Sequence, residues 1–184
     1  EKEEIYSGVI SVDIGAGSTS LAVFSEGVMV RAAGCDVGGS DITEAVAKKF
    51  KLSSETSEKV KKMVELAPEI STRESEIECS GILLPENLTV GDLSDTVNLG
   101  LRKIIETVEN MLSGIPKSFV PSGMVLSGGV SSIDNIDEVF SEWFGVPVRL
   151  VKNSRSSQIP PYQDFMKCVT GKGILSYLSH CLEY

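Results

Sequence analysis

The chain has 184 residues, of which 41% are hydrophobic, so it can bury a core as one domain or as one lobe of a larger protein. Its 26 acidic residues outnumber its 17 lysines and arginines, and the resulting formal net charge of −9 repels nucleic acid and anionic lipid. No apolar run reaches the roughly 18 residues that cross a bilayer, and the start "EKEE" has no signal-peptide pattern. We therefore expect a cytoplasmic protein with no nucleic acid partner.

Three apolar runs at the start predict a meander of three strands. They are "SGVISVDIG", "STSLAVFSEG" and "VMVRAAGCDV", and Glu26 with Gly27 forms the turn between the second and the third. A helix follows in "GGSDITEAVAKKF", because its apolar residues recur at helical spacing. Ser40 is its expected N-cap, and Asp41 and Glu44 favour the positive end of the helix.

Between residues 39 and 99 the sequence becomes more polar and predicts a small inserted α+β subdomain. This range contains the helix just described, a second helix over about Ser54 to Leu66, and a peripheral hairpin in "STRESEIECSGILLPENLTV". Residues 1–38 and 100–184 contain the other elements and are interpreted as one large sheet subdomain.

A long helix begins at a capping pattern, Thr89 with Asp92, and ends before Gly114 and Pro116. The strand "GMVLSGG", the helix "SSIDNIDEVFSEWF", the strand "VPVRLV" and a helical tail from about Gln163 follow. This order predicts an α/β fold, in which helices cover both faces of a mixed five-stranded sheet.

Two of the predicted strands run into glycines. Asp13 closes the first strand ahead of Gly15 and Gly17, and Gly128 with Gly129 closes another. Open sheets bind ligands at the carboxyl ends of their strands, so both places are candidate sites. Either motif alone is also typical of a glycine-rich hairpin that binds nothing.

Taken in order, "VDIGAGSTSLAVF", "VGGSDITEAVAKKF" and "MVLSGGVSSIDNIDEVFSEWFGVPVRL" resemble the second half of the actin-like ATPase superfamily, which has a ribonuclease H-like fold. The resemblance runs from Gly8 to about Leu178 and is greatest to the bacterial cell-division protein FtsA and its relative PilM. It implies ATP and Mg²⁺ as ligands. The first motif would be the second phosphate loop of that fold, and the later glycine pair would be its adenosine loop.

In the phosphate loop, Gly15 and Gly17 let backbone amides turn toward phosphate oxygens, and Ser18 and Thr19 add hydroxyl donors. The resemblance places Asp13 where a carboxylate reaches Mg²⁺ through water, and a hard oxygen ligand suits that cation. The alternative for Asp13 is a strand-end residue that caps its own turn.

In the adenosine loop, Gly128 and Gly129 would let the nucleotide lie against the backbone, and Val130 would touch the base. The alternative is a helix start with Ser131 or Ser132 as N-cap, and both interpretations can hold together.

Two further pairs of residues belong to the implied cleft. Glu58 and Lys61 match the superfamily's A-E-x-x-K pattern, in which the pair faces the ribose and purine. Their i, i+3 spacing places both on one helix face, and the alternative is a surface ion pair. Gly38 and Gly39 either form a strand-to-helix turn or line the cleft.

Two features depart from FtsA. Residues 15–20 read "GAGSTS" where cell-division members usually read G-G-G-T-T-D, a change that PilM-like sequences tolerate. The tail "LSYLSHCLEY" is too short and too acidic for the amphipathic membrane helix of FtsA. Any membrane contact would therefore require segments absent here.

The function implied is that of one lobe of an FtsA-like ATPase, which polymerises and joins a tubulin-like, FtsZ-type division ring to the membrane. Expected partners are a first lobe of the same protein, the ring protein at the small subdomain, and further copies in filaments. Slow ATP hydrolysis is expected without the first lobe and its phosphate loop. The candidates for contact with an acidic partner are Lys48, Lys49, Lys51, Lys59, Lys61 and Lys62. The alternatives are a PilM-like platform for type IV pilus assembly and a nucleotide-free interaction module of the same fold.

Overall fold

The computed structural model describes residues 2–63 and 88–151. These ranges contain five strands and five α-helices, together with short 3₁₀ helices at Lys117–Phe119 and Gly129–Ser132. In chain order the elements are α1 (Lys2–Ser7), β1 (Val9–Ile14), β2 (Thr19–Ser25), β3 (Val28–Cys35), α2 (Gly39–Phe50), α3 (Ser54–Lys61), α4 (Val90–Met111), β4 (Met124–Ser127), α5 (Ile136–Phe144) and β5 (Val148–Leu150).

The strands form one mixed sheet in the order β3-β2-β1-β4-β5. The first three strands are antiparallel, as a meander requires, whereas β4 and β5 run parallel to β1. The five-stranded mixed sheet that the sequence predicts is therefore confirmed. Its arrangement places the carboxyl ends of β1 and β4 next to each other, and this edge holds the site described below.

The core lies between the sheet and α4. Alternate residues of β1, which are Ile10, Val12 and Ile14, are buried on the side where α4 packs, as the two-residue period of a strand requires. The matching stripe of α4 is Leu93, Val97, Leu101, Ile104, Ile105 and Val108. A Cβ built on Gly100 would lie 3.0 Å from Cγ1 of Ile42, so this glycine lets α4 approach α2 closely.

The first helix, α1, has no counterpart among the predicted elements, because its six residues show no apolar stripe. Tertiary contacts hold it in place instead. Two guanidinium nitrogens of Arg149 on β5, Nε and Nη2, donate to the carboxylate of Glu4 at 2.7 to 3.0 Å. The ring of Tyr6 covers Gly27, where a Cβ would come within 2.7 Å of Cε1.

The helix caps confirm one prediction and correct another. Thr89 caps α4, since its Oγ1 accepts a hydrogen bond from the amide of Asp92 at 3.1 Å. Ser40 does not cap α2. The N-cap is Gly38, whose amide donates to Oδ2 of Asp41 at 2.9 Å, so the capping side chain reaches back from inside the helix.

Other predicted features are only partly visible. The helix α4 is continuous from residue 90 to residue 111 and thus passes through the proposed boundary between residues 99 and 100. The end of the second predicted helix beyond Met63, the hairpin before Leu88 and the tail from Gln163 lie outside the described residues. Among the helices of residues 2–63 and 88–151, none combines the length and the apolar character needed to span a bilayer.

Candidate functional site

Two loops meet where β1 and β4 end. We name residues 15–18 the first glycine loop and residues 128–132 the second glycine loop. Asp13 and Ser127 are register partners in the two parallel strands, so the loops begin side by side. A Cβ built on Gly128 would lie 2.3 Å from the carbonyl oxygen of Ile14 and 2.5 Å from Oδ1 of Asp13. The second glycine loop therefore packs directly on the end of β1, next to the carboxylate of Asp13.

The start of α2 holds the first glycine loop from one side. The amide of Gly39 donates to the carbonyl oxygen of Gly15 at 2.9 Å, and the amide of Ser40 donates to that of Ala16 at 2.7 Å. A Cβ on Gly38 would come within 2.7 to 2.8 Å of three backbone atoms of this loop. The close fit between the loop and α2 thus depends on glycine at position 38.

These bonds also fix where the amides of the first glycine loop point. In a trans peptide the carbonyl of one residue and the amide of the next point in opposite directions, and no described peptide bond is cis. Because the carbonyls of Gly15 and Ala16 face α2, the amides of Ala16 and Gly17 face away from it. Neither amide donates a hydrogen bond within the described part of the chain. Consecutive outward amides of this kind form an anion-binding concavity.

Within the described part of the chain, the space beside these amides is open. Ala16, Gly17 and Ser18 are exposed, and a Cβ built on Gly17 would meet no described atom within 4 Å. Asp13 lies half-buried at the base of the loop. Thr19 differs from the expectation, because it is fully buried and its hydroxyl donates to the carbonyl of Val37 at 2.8 Å. The Thr19 side chain therefore braces the chain beneath the loop and presents no donor on the open side.

Gly38 and Gly39 fit the strand-to-helix turn better than a ligand-binding surface. Both are buried, and both amides are used within the protein, by Asp41 and by Gly15 respectively. A Cβ on Gly39 would lie 2.8 Å from Cγ2 of Val130, so this glycine lets the second glycine loop approach α2. Val130 itself is only 4% exposed.

The carboxylate of Asp41 joins this turn to α4. Its Oδ1 accepts from Nζ of Lys103 at 2.6 Å, while its Oδ2 accepts from the amide of Gly38. The hydrogen bond from Lys103 and that from Gly38 lower the pKa of Asp41. Asp41 therefore places a negative charge at the start of α2, where it interacts favourably with the positive end of the helix dipole.

Glu58 and Lys61 of α3 lie beside the same turn, and Lys61 is not on the surface. It is 5% exposed, and its Nζ donates to the carbonyl of Gly39 at 3.2 Å, to Oγ1 of Thr43 at 2.8 Å and to Oε2 of Glu58 at 2.5 Å. The interpretation as a surface ion pair is wrong for this reason. The side chain of Glu58 remains 41% exposed, so one end of the pair reaches solvent.

The pKa of Glu58 shows the strength of this cluster. Burial raises the pKa, but hydrogen bonds from Lys61 and Thr43, the charge of Lys61 and a hydrogen bond from Lys62 outweigh burial and lower the pKa from 4.5 to about 2. Glu58 is therefore a carboxylate at every physiological pH.

The second glycine loop closes on itself. The hydroxyls of Ser131 and Ser132 donate to the carbonyls of Gly128 and Gly129, at 2.6 and 2.7 Å. The N-cap of α5 is Asn135, in the left-handed region at φ 62°, so neither serine caps that helix as the alternative interpretation expected.

Sequence reasoning missed Thr43, Asp41 as a cap, and Lys103. Thr43 could have been noticed, because it is a polar residue one helical turn after Gly39 and next to the apolar stripe of α2. The roles of the other two depend on contacts across the fold. No group of three or more histidine, cysteine, aspartate or glutamate side chains suited to a metal is present within residues 2–63 and 88–151.

Comparison with known proteins places the chain in a family. The family model described as "MreB/Mbl protein" matches residues 4–169. Cell division protein FtsA of Bacillus subtilis (strain 168) is 27% identical over 180 residues, which cover 96% of this chain and 40% of that protein. The chain thus spans less than half the length of this relative.

Solved structures show the same fold. MreB 5 of Spiroplasma citri bound to AMPPNP aligns with a TM-score of 0.73 at 23% identity, over 98% of this chain and 56% of that one. The PilM–PilN type IV pilus biogenesis complex aligns with a TM-score of 0.61 at 22% identity, over 82% of this chain and 37% of that one.

The actin-like fold and the resemblance to FtsA-like proteins are therefore confirmed. The sequence motifs indicate FtsA and PilM, and the similarity to MreB/Mbl proteins is not predicted from them. Because the family model covers most of its length, the chain belongs to the MreB/Mbl protein family.

Proposed function

We propose that this chain is a nucleotide-binding lobe that takes the phosphates of Mg-ATP at the first glycine loop. The observation that carries the proposal is the pair of outward amides of Ala16 and Gly17, which lie in the exposed stretch of loop that follows Asp13. The similarity to MreB 5 of Spiroplasma citri, whose solved structure is bound to AMPPNP, supports an adenine nucleotide as the ligand.

The donor set fits one Mg²⁺ held mainly through water. Asp13 provides a hard carboxylate oxygen at the base of the first glycine loop, and Mg²⁺ usually keeps several waters and binds one or two carboxylates plus phosphates. When bound, the cation neutralises charge on the phosphates. Ser18, which is exposed beside the amides, adds a hydroxyl donor.

The nucleoside would extend toward the second glycine loop and α3. Gly128 brings the backbone close to Asp13, and Glu58 offers an exposed carboxylate that would accept hydrogen bonds from ribose hydroxyls. Lys61 is excluded from direct contact, because its three hydrogen bonds are made within the protein. The buried residues Gly38, Gly39 and Val130 would shape the site from behind.

Calorimetric titration of the full-length gene product with ATP, with and without Mg²⁺, tests this proposal. Asp13→Ala should abolish the Mg-dependent part of the affinity, since Asp13 is the carboxylate at the loop. Glu106→Ala, which removes an exposed carboxylate from α4, is the matched control and should bind like the parent. Equal affinity of the Asp13→Ala variant and the parent would refute the role of Asp13.

The role of the whole protein is a second, finer proposal. We propose an FtsA-like function in cell division, in which the intact protein, in the cytoplasm at the inner face of the membrane, binds a tubulin-like ring protein through the small subdomain of residues 39–99. The support is the similarity to FtsA of Bacillus subtilis, together with the exposed lysines of α2 and the residues that follow it. Lys61 does not belong to that surface, because it is buried. Self-association into filaments and a first lobe that completes the site are parts of this proposal.

Charge reversal distinguishes the FtsA-like role from its alternatives. Lys48→Glu with Lys49→Glu should weaken capture of the ring protein's acidic tail in a pull-down, because both lysines are exposed. Unchanged capture would leave a PilM-like or MreB-like role. A chain that binds neither the tail nor ATP would be a nucleotide-free interaction module.

A further inference from the structure

A buried hydroxyl lies at the centre of the contacts between α2 and α3. Thr43 is 6% exposed and sits one turn into α2. Its Oγ1 lies 3.0 Å from the carbonyl oxygen of Gly39, 2.6 Å from Oε2 of Glu58 and 2.8 Å from Nζ of Lys61. A hydroxyl has one hydrogen and two lone pairs, so Thr43 accepts from Lys61 and donates to Oε2 of Glu58, the nearer of the two oxygens.

The ammonium of Lys61 has no hydrogen left for a ligand. Its three donors are matched by three acceptors, which are the carbonyl of Gly39, Oγ1 of Thr43 and Oε2 of Glu58. Breaking any of these bonds in a buried place would leave a charged donor unsatisfied, which is costly. Lys61 is thus a brace between α3 and the start of α2.

The same contacts fix one oxygen of Glu58 and leave the other toward solvent. Oε2 is held by Lys61 and Thr43, whereas Oε1 lies 3.2 Å from Nζ of Lys62, a side chain that is 45% exposed. The orientation of this carboxylate is therefore set from its buried end. These contacts are connected to the first glycine loop, because Lys61 also donates to the carbonyl of Gly39, and the amide of Gly39 donates to the carbonyl of Gly15.

We infer that Thr43 is a positioning residue for nucleoside recognition: together with Lys61 it orients the carboxylate of Glu58. This inference rests on the proposed function, because it assumes that a nucleoside lies beside Glu58. Thr43 acts through Glu58 and does not touch the ligand.

The test compares two ligands on the full-length gene product. ATP has a nucleoside and tripolyphosphate has none, so only ATP reports on Glu58. Thr43→Val keeps the shape and removes the hydroxyl, and we expect it to lower ATP affinity about tenfold while tripolyphosphate affinity changes by less than about twofold. Thr43→Ser keeps the hydroxyl and should bind ATP like the parent. If Thr43→Val does not fold, Thr43→Ala takes its place in the same comparison.

A cycle with Glu58→Gln separates positioning from a merely structural role. If Thr43 acts through Glu58, adding Thr43→Val to Glu58→Gln should change ATP affinity by less than about twofold. Parental ATP affinity in Thr43→Val would overturn the inference. An equal loss of ATP and tripolyphosphate would overturn it as well, since the hydroxyl would then serve the phosphate loop or the fold. A parent that binds neither ligand would instead refute the proposed function, and this inference with it.

Discussion

The two glycine loops at the edge of the sheet use the same residue type for different purposes. In the first glycine loop the carbonyls of Gly15 and Ala16 face α2, the amides of Ala16 and Gly17 face outward, and no described residue fills the space above Gly17. In the second glycine loop Gly128 is buried at φ 90°, and serine hydroxyls close onto the loop's own carbonyls. Glycine thus leaves an exposed, open stretch in one loop and makes room for the protein's own backbone in the other.

Replacing a packed glycine should have the largest effect on stability. Gly128→Ala adds a Cβ that would lie 2.3 Å from the carbonyl oxygen of Ile14, in a backbone conformation that disfavours side chains. We expect a loss of at least about 3 kcal/mol in the free energy of unfolding by urea. Gly114→Ala is the matched control, with φ +81° but no atom of the described residues within 4 Å of the added Cβ, and should cost only about 1 kcal/mol. Equal losses in the two variants would show that the contact with β1 is unimportant.

Filling the open space should affect binding and leave the fold intact. Gly17→Val places its side chain where no atom of residues 2–63 and 88–151 lies within 4 Å, so the free energy of unfolding by urea should change by less than about 0.5 kcal/mol. The same side chain would crowd a phosphate at the amides, and ATP affinity should fall at least tenfold in calorimetry, equivalent to about 1.4 kcal/mol. Normal ATP binding by this variant would show that the phosphates bind elsewhere than at this loop.

The smallest effect concerns the pH dependence of stability. Burial raises the pKa of Glu58, but its bonds to Lys61, Thr43 and Lys62 prevail and lower the pKa from 4.5 to about 2. The stabilisation from ionised Glu58 is therefore complete above the unfolded pKa of 4.5 and is lost as the pH falls through the range down to about 2.

Urea unfolding at neutral pH and at about pH 3 measures this loss, since the second value lies between the two pKa values. The parent should lose more stability on acidification than Glu58→Gln, which has no proton to gain. Glu55→Gln is the control: the hydrogen bond from exposed Lys59 lowers the pKa of Glu55, but solvent screens that pair, so its removal should change the pH dependence less. An identical pH dependence in the parent and Glu58→Gln would contradict the cluster described here.

The sheet could be predicted because its signals are local. Apolar runs separated by turn residues identify the strands, and the position of Asp13 before the glycines follows from the strand that ends there. By contrast, α1 could not be predicted, since its six residues depend on the Arg149 contact from the far end of the described chain. The sequence favours Ser40 as the cap of α2 because Gly38 has no side chain to indicate its role.

The candidate site shows the same difference between features with local sequence signals and features that depend on contacts across the fold. The residues that surround the expected cleft do come together, because strand ends and loops bring them to one edge. The sequence could not show that Thr19 donates to Val37 or that Lys61 is buried against Gly39, which lies 22 residues earlier. An i, i+3 pair of charges is typical of an exposed helix face, and only the fold places the lysine of this pair inside.

Amide resonances of the first glycine loop provide the most direct measurement of where the phosphates bind. A ¹⁵N–¹H spectrum of the protein, recorded while Mg-ATP is added, follows each backbone amide separately. The amide resonances of Ala16 and Gly17 should show the largest chemical-shift changes, because these amides gain hydrogen-bond acceptors. Those of Gly39 and Ser40 should change little, because these amides already donate to carbonyls of the loop. Nucleotide binding that leaves the Ala16 and Gly17 amides unmoved would contradict a phosphate site at this loop.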